Sequence, residues 1–341
     1  MMEKRRLGRT GLEVGCIGFG ALPIQRCTME EAGPVLHAAL DRGIDFIDTA
    51  RGYSDSEEKI GRHLAGRRSE YVLATKSFAR TKDGMAKDID ISLKMLQTDV
   101  IDLYQVHNIK KRPELETVLG PGGALEALKE AQAAGKIRHI GITGHDYGLL
   151  VEGIKTNEFS TVQAPFNAVE LAALDSLFPL AKAMDIGRIV MKPLGGGQID
   201  SKVASLRFIL QHDITVAIPG MDELAHIEEN LKAAEPFVPL SAAEKAALDA
   251  EVAELGKNFC RRCGYCMPCV QGIEIPLLFI LHLQYEKYGM QQVIPEKYNA
   301  MAAAKVTAKA SACIECGVCE TRCPYDIPIR ERMKKIAQDL G

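Results

Sequence analysis

From residue 16 to about 235 the chain alternates short apolar runs with longer stretches whose apolar residues recur three and four positions apart. The runs at 16–21, 45–50, 71–76, 100–107, 139–145, 161–167, 188–193 and 214–220 predict eight buried strands. The stretches between them predict amphipathic helices, as with Leu125, Leu128, Ala131 and Ile137. Several helices are expected to stop at a glycine, Gly43 and Gly135 among them, because a left-handed residue ends a helix cheaply there. Alternating strand and helix units imply a parallel sheet, and eight of them imply a closed (β/α)8 TIM barrel of the α/β class. A doubly wound open sheet is the weaker alternative. It stops at five or six strands, and Gly18-Phe19-Gly20 lacks the third glycine of a dinucleotide-binding turn.

Two elements lie outside this repeat. Residues 4–15 place Arg9-Thr10-Gly11 between two extended runs, a hairpin able to plug the bottom of a barrel. Ser241 and Glu244 form the capping pattern that opens a further helix, expected to run to about Leu255. Composition then changes. Of the ten cysteines only Cys16 and Cys27 come early, while Cys260, Cys263, Cys266, Cys269, Cys313, Cys316, Cys319 and Cys323 crowd the end of the chain. The break divides the chain into residues 1–256 and 257–341.

The 341 residues include 42 Lys+Arg against 45 Asp+Glu, a net of −3, and 47% are hydrophobic. That is a globular composition whose charge asks for neither nucleic acid nor a membrane surface. The longest apolar run, 275–281, is far short of the roughly 18 residues of a bilayer span. The start, Met1-Met2-Glu3-Lys4-Arg5-Arg6, leads into no apolar segment of a secretory signal, so a cytoplasmic location is expected. Thiols stay reduced there, and the cysteines are read as metal ligands rather than disulfides.

Loops after the strand ends form the active face of a parallel barrel. Asp48 closes the second strand, Tyr53 follows in the next loop, Lys76 ends the third strand and His107 the fourth. Each alone has an ordinary reading as a cap, an amphipathic ring, a buried-stem cation or a satisfied core histidine; all four at matching strand ends point to chemistry. A hydride added to a carbonyl leaves an alkoxide that needs a proton, and a phenol is a poor donor unless its anion is stabilised. Lys76 is expected to lower the Tyr53 pKa, Asp48 to orient Lys76, and His107 to hydrogen-bond the carbonyl oxygen. The Lys110-Lys111-Arg112 loop beyond His107 reads as exposed surface, able at most to attract an anionic substrate.

Gly43, Asp48-Thr49-Ala50, Tyr53, Ser56-Glu57 and Gly61, with Lys76 and His107, resemble the signature of the aldo-keto reductase superfamily, over residues 4 to about 255. The resemblance implies Tyr53 as general acid, supported by Lys76, Asp48 and His107. It also implies an extended nicotinamide dinucleotide held by the loops after strands five to eight, at Thr143, Gln163, Asn167, Lys192, Gly195-Gly196-Gly197, Gly220, Glu229 and Asn230. Thr143-Gly144, beside His145, stands where the family carries Ser-Asn, and Met191 where an aromatic ring stacks on the nicotinamide. Gly220 and His226 replace the cations that clasp the 2′-phosphate of NADP, and Asp222 adds negative charge, so NAD(H) is favoured over NADP(H).

The run Cys313-x2-Cys316-x2-Cys319-x3-Cys323-Pro324 resembles the bacterial ferredoxin ligand set for a four-iron cluster. The earlier group, Cys260 to Cys269, keeps the spacing but ends in x2 before Val270. Zinc needs only four ligands from two knuckles; eight fit two [4Fe-4S] clusters better. By analogy one cluster takes Cys260, Cys263, Cys266 and Cys323, the other Cys269, Cys313, Cys316 and Cys319. With helical periodicity in 271–312, the module resembles the α-helical, ferredoxin-like dicluster type.

These readings combine into an oxidoreductase that reduces a small-molecule carbonyl or oxidises the matching alcohol, coupled to or supplemented by iron-sulfur electron transfer with an electron-carrier protein as partner. The alternative is an electron-transfer or redox-sensing protein whose barrel binds dinucleotide weakly or as a regulator. A third reading makes the clusters purely structural.

Overall fold

The structure, a computed structural model, describes residues 2–256, 258–262 and 264–341. Its strands are β1 (Lys4–Arg6), β2 (Glu13–Gly15), β3 (Phe19–Gly20), β4 (Phe46–Asp48), β5 (Val72–Ser77), β6 (Ile101–Ile109), β7 (Ile137–Gly144), β8 (Thr161–Pro165), β9 (Gly187–Met191) and β10 (Val216–Ile218). β3 to β10 pair in chain order, all parallel. Isolated bridges Ile17–Ala217 and Gly20–Gly220 join the two edges, so the sheet nearly closes into the expected barrel. The seam depends on glycine. A Cβ on Gly20 would lie 2.7 Å from the Ile218 carbonyl oxygen and 2.8 Å from that of Pro219. The open doubly wound sheet is excluded.

Local sequence sets the helix ends. Thr28 and Glu31 make a reciprocal capping box on the helix Met29–Asp41. Asp146 accepts from the Leu149 amide at 3.0 Å to start Tyr147–Lys155. The Ser241–Glu244 box is formed as expected, opening Ala242–Gly256. One boundary differs: Ile137 belongs to β7, because the preceding helix stops at Ala133 and Gly135, at φ 74°, turns the chain back.

The pleat decides what faces the barrel axis. Leu7 and Val14 from the β1–β2 hairpin pack with Phe46, Ala74, Leu103, Ile189, Val216 and Ile218, filling the barrel floor as expected. Two residues further along the same strand faces come Asp48, Lys76 and Gln105, then His107. Apolar side chains therefore fill one end of the barrel and polar ones the other. Tyr104 and Val106, on the opposite face of β6, pack under the helices instead.

The chain divides into two compact units. One runs to Gly196 and continues over Ser201–Leu248; the other comprises Gly197–Asp200 and Asp249–Gly341. The division falls inside the helix Ala242–Gly256. The second unit has its own core, in which Ile275, Leu278 and Leu281 meet Ile294, Tyr298, Met333 and Ile336. Its main helices are Ile275–Lys287, Ile294–Ala303 and Ile329–Leu340. No helix of the described residues is long and apolar enough to cross a membrane.

Candidate functional site

Asp48, Lys76 and His107 converge at the polar end of the barrel, and Tyr53 stands in the turn between β4 and the helix Ser56–Leu64. The Lys76 ammonium is buried and donates to Asp48 Oδ2 at 2.5 Å and to the Thr49 carbonyl at 2.8 Å. It also lies 5.0 Å from the centre of the Tyr53 ring. The His107 ring meets that of Tyr53 edge-on at 5.9 Å, and its Nδ1 is buried with no hydrogen-bond partner. Phe78, half-exposed, stacks on His107 at 4.0 Å and 17°.

Burial dominates the electrostatics. It pushes the Asp48 carboxyl up against the pull of Lys76. It draws Lys76 down, yet Asp48 and Tyr53 outweigh it and hold the ammonium above its ordinary value. Tyr53 corrects the expected direction: desolvation raises the phenol pKa further than Lys76 lowers it. Burial, with Lys76, Arg80 and Lys110 nearby, pushes His107 down to about 2, so the ring is neutral. The site therefore sets a phenol held above its ordinary pKa beside an ammonium that Asp48 holds in its charged form.

Two glutamines join this group. Gln105 donates to Asp48 Oδ1 at 3.3 Å and to Gln163 Oε1 at 2.9 Å, and Gln163 reaches Asp48 Oδ2 at 3.5 Å. Gln105 escaped the sequence reading, although it alternates with His107 on β6 and so had to share its face. Phe78 escaped too, since an exposed ring carries no acid-base signal.

The residues expected to hold a dinucleotide occupy the following strand ends. Thr143 is buried near the end of β7 and accepts from the Asn108 amide at 2.7 Å. Asn167, just beyond β8, is buried and donates to the Glu170 carboxylate and the Lys192 carbonyl, both at 3.1 Å. Lys192, just past β9, has φ 55°, and Gly195, Gly196 and Gly197 all have positive φ. Gly220 bridges to Gly20 beyond β10. Glu229 pairs with Lys202 at 2.7 Å, and Asn230 is buried. Asp222 is held by Arg26 at 2.8 Å and lies 3.0 Å from His226. A cation absent from the sequence argument thus reaches this loop from the β3 side. The buried, unpartnered His107 Nδ1 and Gln105 Oε1 suit a polar group brought between β6 and these loops.

In the second unit two cavities are lined by cysteines. One is bounded by Cys266, Cys269, Cys313, Cys316 and Cys319. The other is bounded by Cys260, Cys266 and Cys323. Cys263 lies outside the described residues. Soft thiol donors converging on two neighbouring cavities fit two iron-sulfur clusters. A third grouping, His282 with Glu286 and Asp339, has metal-ligand spacing. There Lys335 already supplies a cation, 2.9 Å from Asp339 and 3.6 Å from Glu286, and the trio reads as an ion cluster between two helices.

Residues 15–205 match the aldo/keto reductase family and residues 259–328 the 4Fe-4S dicluster domain. The chain is similar to the aldo-keto reductase YhdN of Bacillus subtilis, 31% identical over 225 residues covering 59% of this chain and 65% of that one. It is similar to the 6-dehydroglucose reductase of Novosphingobium aromaticivorans, 29% identical over 281 residues, 73% of this chain and 89% of that one. An aldo-keto reductase from Klebsiella pneumoniae, solved in complex with NADPH, has 25% identity and a TM-score of 0.62 over 73% of this chain and 95% of its own. The chain thus spans just under two thirds of the Bacillus protein's length. The dicluster match decides against zinc for the eight cysteines. With a family match over more than half its length, the chain belongs to the aldo/keto reductase family and carries a C-terminal 4Fe-4S dicluster domain.

Proposed function

We propose that the barrel reduces a small aldehyde or ketone, or oxidises the matching alcohol, with Tyr53 as the proton donor. The observation that carries this reading is the buried Asp48–Lys76 pair set against the phenol. A nicotinamide dinucleotide, when bound, supplies the hydride to the carbonyl carbon. The chain's own residues manage the proton. The Tyr53 O–H bond breaks as the new alcohol O–H forms, and the phenolate left behind is balanced by the Lys76 ammonium. Asp48 fixes that ammonium, and neutral His107 orients the carbonyl oxygen. Thr143, Gln163, Asn167, Lys192, Gly220, Glu229 and Asn230 are the proposed dinucleotide contacts.

Tyr53→Phe tests this. Reduction of a simple aryl aldehyde is expected to fall by at least about 100-fold with dinucleotide affinity unchanged. Retained turnover would remove Tyr53 from the mechanism.

The form of the cofactor divides two observations. Gly220 and the Asp222 carboxylate favour NAD(H), while Arg26 offers a cation and the Klebsiella relative is described with NADPH. Our reading is NAD(H), because Arg26 is engaged by Asp222 and so is not available to a phosphate dianion. Titration with both dinucleotides decides it. Tighter binding of NADPH, lost in Arg26→Met, would transfer the phosphate contact to Arg26.

For the module, Cys260, Cys263, Cys266 and Cys323 would hold one cluster and Cys269, Cys313, Cys316 and Cys319 the other. Cys266 lines both cavities, so the two sites adjoin. The exposed Cys316 supports a second reading, in which the module exchanges single electrons with a carrier protein.

A further inference from the structure

Tyr53 sits in a turn that the backbone does not favour. Ser54, the next residue, has φ 39°, in the left-handed region where a serine is strained. Such a conformation persists only where its surroundings over-determine it. Here an ion pair stands on each side. The Arg51 guanidinium pairs with Glu57, whose carboxylate is buried and also accepts from Thr75 Oγ1 at 2.7 Å and Ser92 Oγ at 2.8 Å. Past Ser54, the buried Lys59 ammonium donates to Asp55 at 2.8 Å and to the carbonyls of Ile24 and Cys27 at 2.9 and 2.7 Å. Thr75 immediately precedes Lys76, and the Arg51 amide donates to the Lys76 carbonyl at 3.0 Å. Glu57 therefore ties the turn that carries the phenol to the strand that carries the ammonium.

We propose that Arg51 and Glu57 are positioning residues, an ion pair with a buried carboxylate that holds the strained Tyr53 turn against Lys76. The pair acts through Tyr53, so the proposal rests on the reading of Tyr53 as proton donor. It also gives the Ser56-Glu57 part of the sequence signature a physical role. A neutral side chain at 51 leaves the Glu57 carboxylate to Thr75 and Ser92 without its counter-charge, so a thermal melt of each variant accompanies the kinetics. What the substitution loses is the tether that opposes the left-handed serine.

The test uses the full-length holoprotein with 4-nitrobenzaldehyde as probe and whichever dinucleotide it turns over. Arg51→Met is expected to lower kcat by about 10–100-fold, with KM and dinucleotide affinity within about twofold. Arg51→Lys keeps most of the activity. Ser54→Gly, which removes the strain the pair opposes, restores at least about fivefold of the Arg51→Met loss when the two are combined. A kcat within twofold of the parent, a loss spread equally over KM and dinucleotide binding, or simple additivity of the two substitutions would each overturn the proposal. A second measurement does not depend on turnover. The ultraviolet difference titration of each protein against its Tyr53→Phe counterpart reads the phenol directly. Arg51→Met is expected to move it upward, as the Lys76 contact loosens. No movement overturns the positioning role even if the barrel proves inactive, whereas full turnover by Tyr53→Phe refutes only the proton-donor reading.

Discussion

His107 shows how much a single residue's surroundings can decide. An imidazole in water takes up a proton near pH 6.5; here burial and three neighbouring cations push that value to about 2. The consequence for stability has a definite sign. Below pH 6.5 the unfolded chain protonates His107 and the folded one does not, so this residue's contribution is fully present above 6.5 and falls as the pH drops toward 2. Between pH 7 and 5 it amounts to about 2 kcal/mol. Urea denaturation followed by circular dichroism should therefore show His107→Gln losing less stability than the parent over that interval. Equal losses would mean the ring is protonated in the folded barrel. The same neutrality predicts no His107 limb in the pH profile of turnover above pH 4. At this scale the tetrad was legible, because Asp48, Lys76 and His107 stand at strand ends where alternation fixes their direction. The Tyr53 pKa was not, since its sign is set by how much protein surrounds the phenol, and neither was the Arg26–Asp222 pair, which joins residues 196 positions apart.

Elements obey tighter packing rules than their sequences declare. Gly61 appears in the signature as one letter, yet it lies where the helix Ser56–Leu64 crosses the end of Lys82–Met95. A Cβ there would fall 2.1 Å from the Met95 carbonyl oxygen and 2.7 Å from the Leu96 carbonyl carbon. Both are backbone atoms that cannot turn aside. Gly61→Ala must push the two helices apart, at a cost of about 1–3 kcal/mol, which lowers Tm by roughly 2–10 °C. Because the displaced helix begins just after Tyr53, kcat should fall with it. A thermal melt and an activity assay on the same sample check both, and an unchanged Tm would show that the crossing is looser than it looks. Strand positions were readable from apolar runs, and the hairpin from Arg9-Thr10-Gly11. The start of β7 was misplaced by two residues, because Ile137 continues the helical spacing of Leu125, Leu128 and Ala131 while Gly135 has already ended the helix.

On the scale of the whole molecule, charge and cysteine placement belong to one argument. Residues 257–341 carry 12 Lys+Arg against 8 Asp+Glu, a net of +4. Two oxidised four-iron cores, each of about +2 and held by four thiolates, bring about −2 apiece. The basic excess therefore neutralises the clusters, and it offers little surplus to attract an acidic carrier. It also makes the module dependent on iron. Its buried apolar core is a single small cluster, and most of the described cysteines pack partly buried against it around the two cavities. Removing the clusters takes away both the central ligand bonds and the counter-charge, leaving a unit of fewer than about 100 residues with little else to hold it. The holoprotein is expected to contain about eight iron atoms per chain, and Cys316→Ala about four. After iron is stripped with a chelator under anaerobic conditions, limited proteolysis should cut first between residues 249 and 341. The barrel, with its own core and hairpin plug, should stay intact and keep its dinucleotide affinity. If the stripped module resists protease as well as the loaded one, its helices hold without the clusters. The iron would then serve electron transfer alone and not the fold.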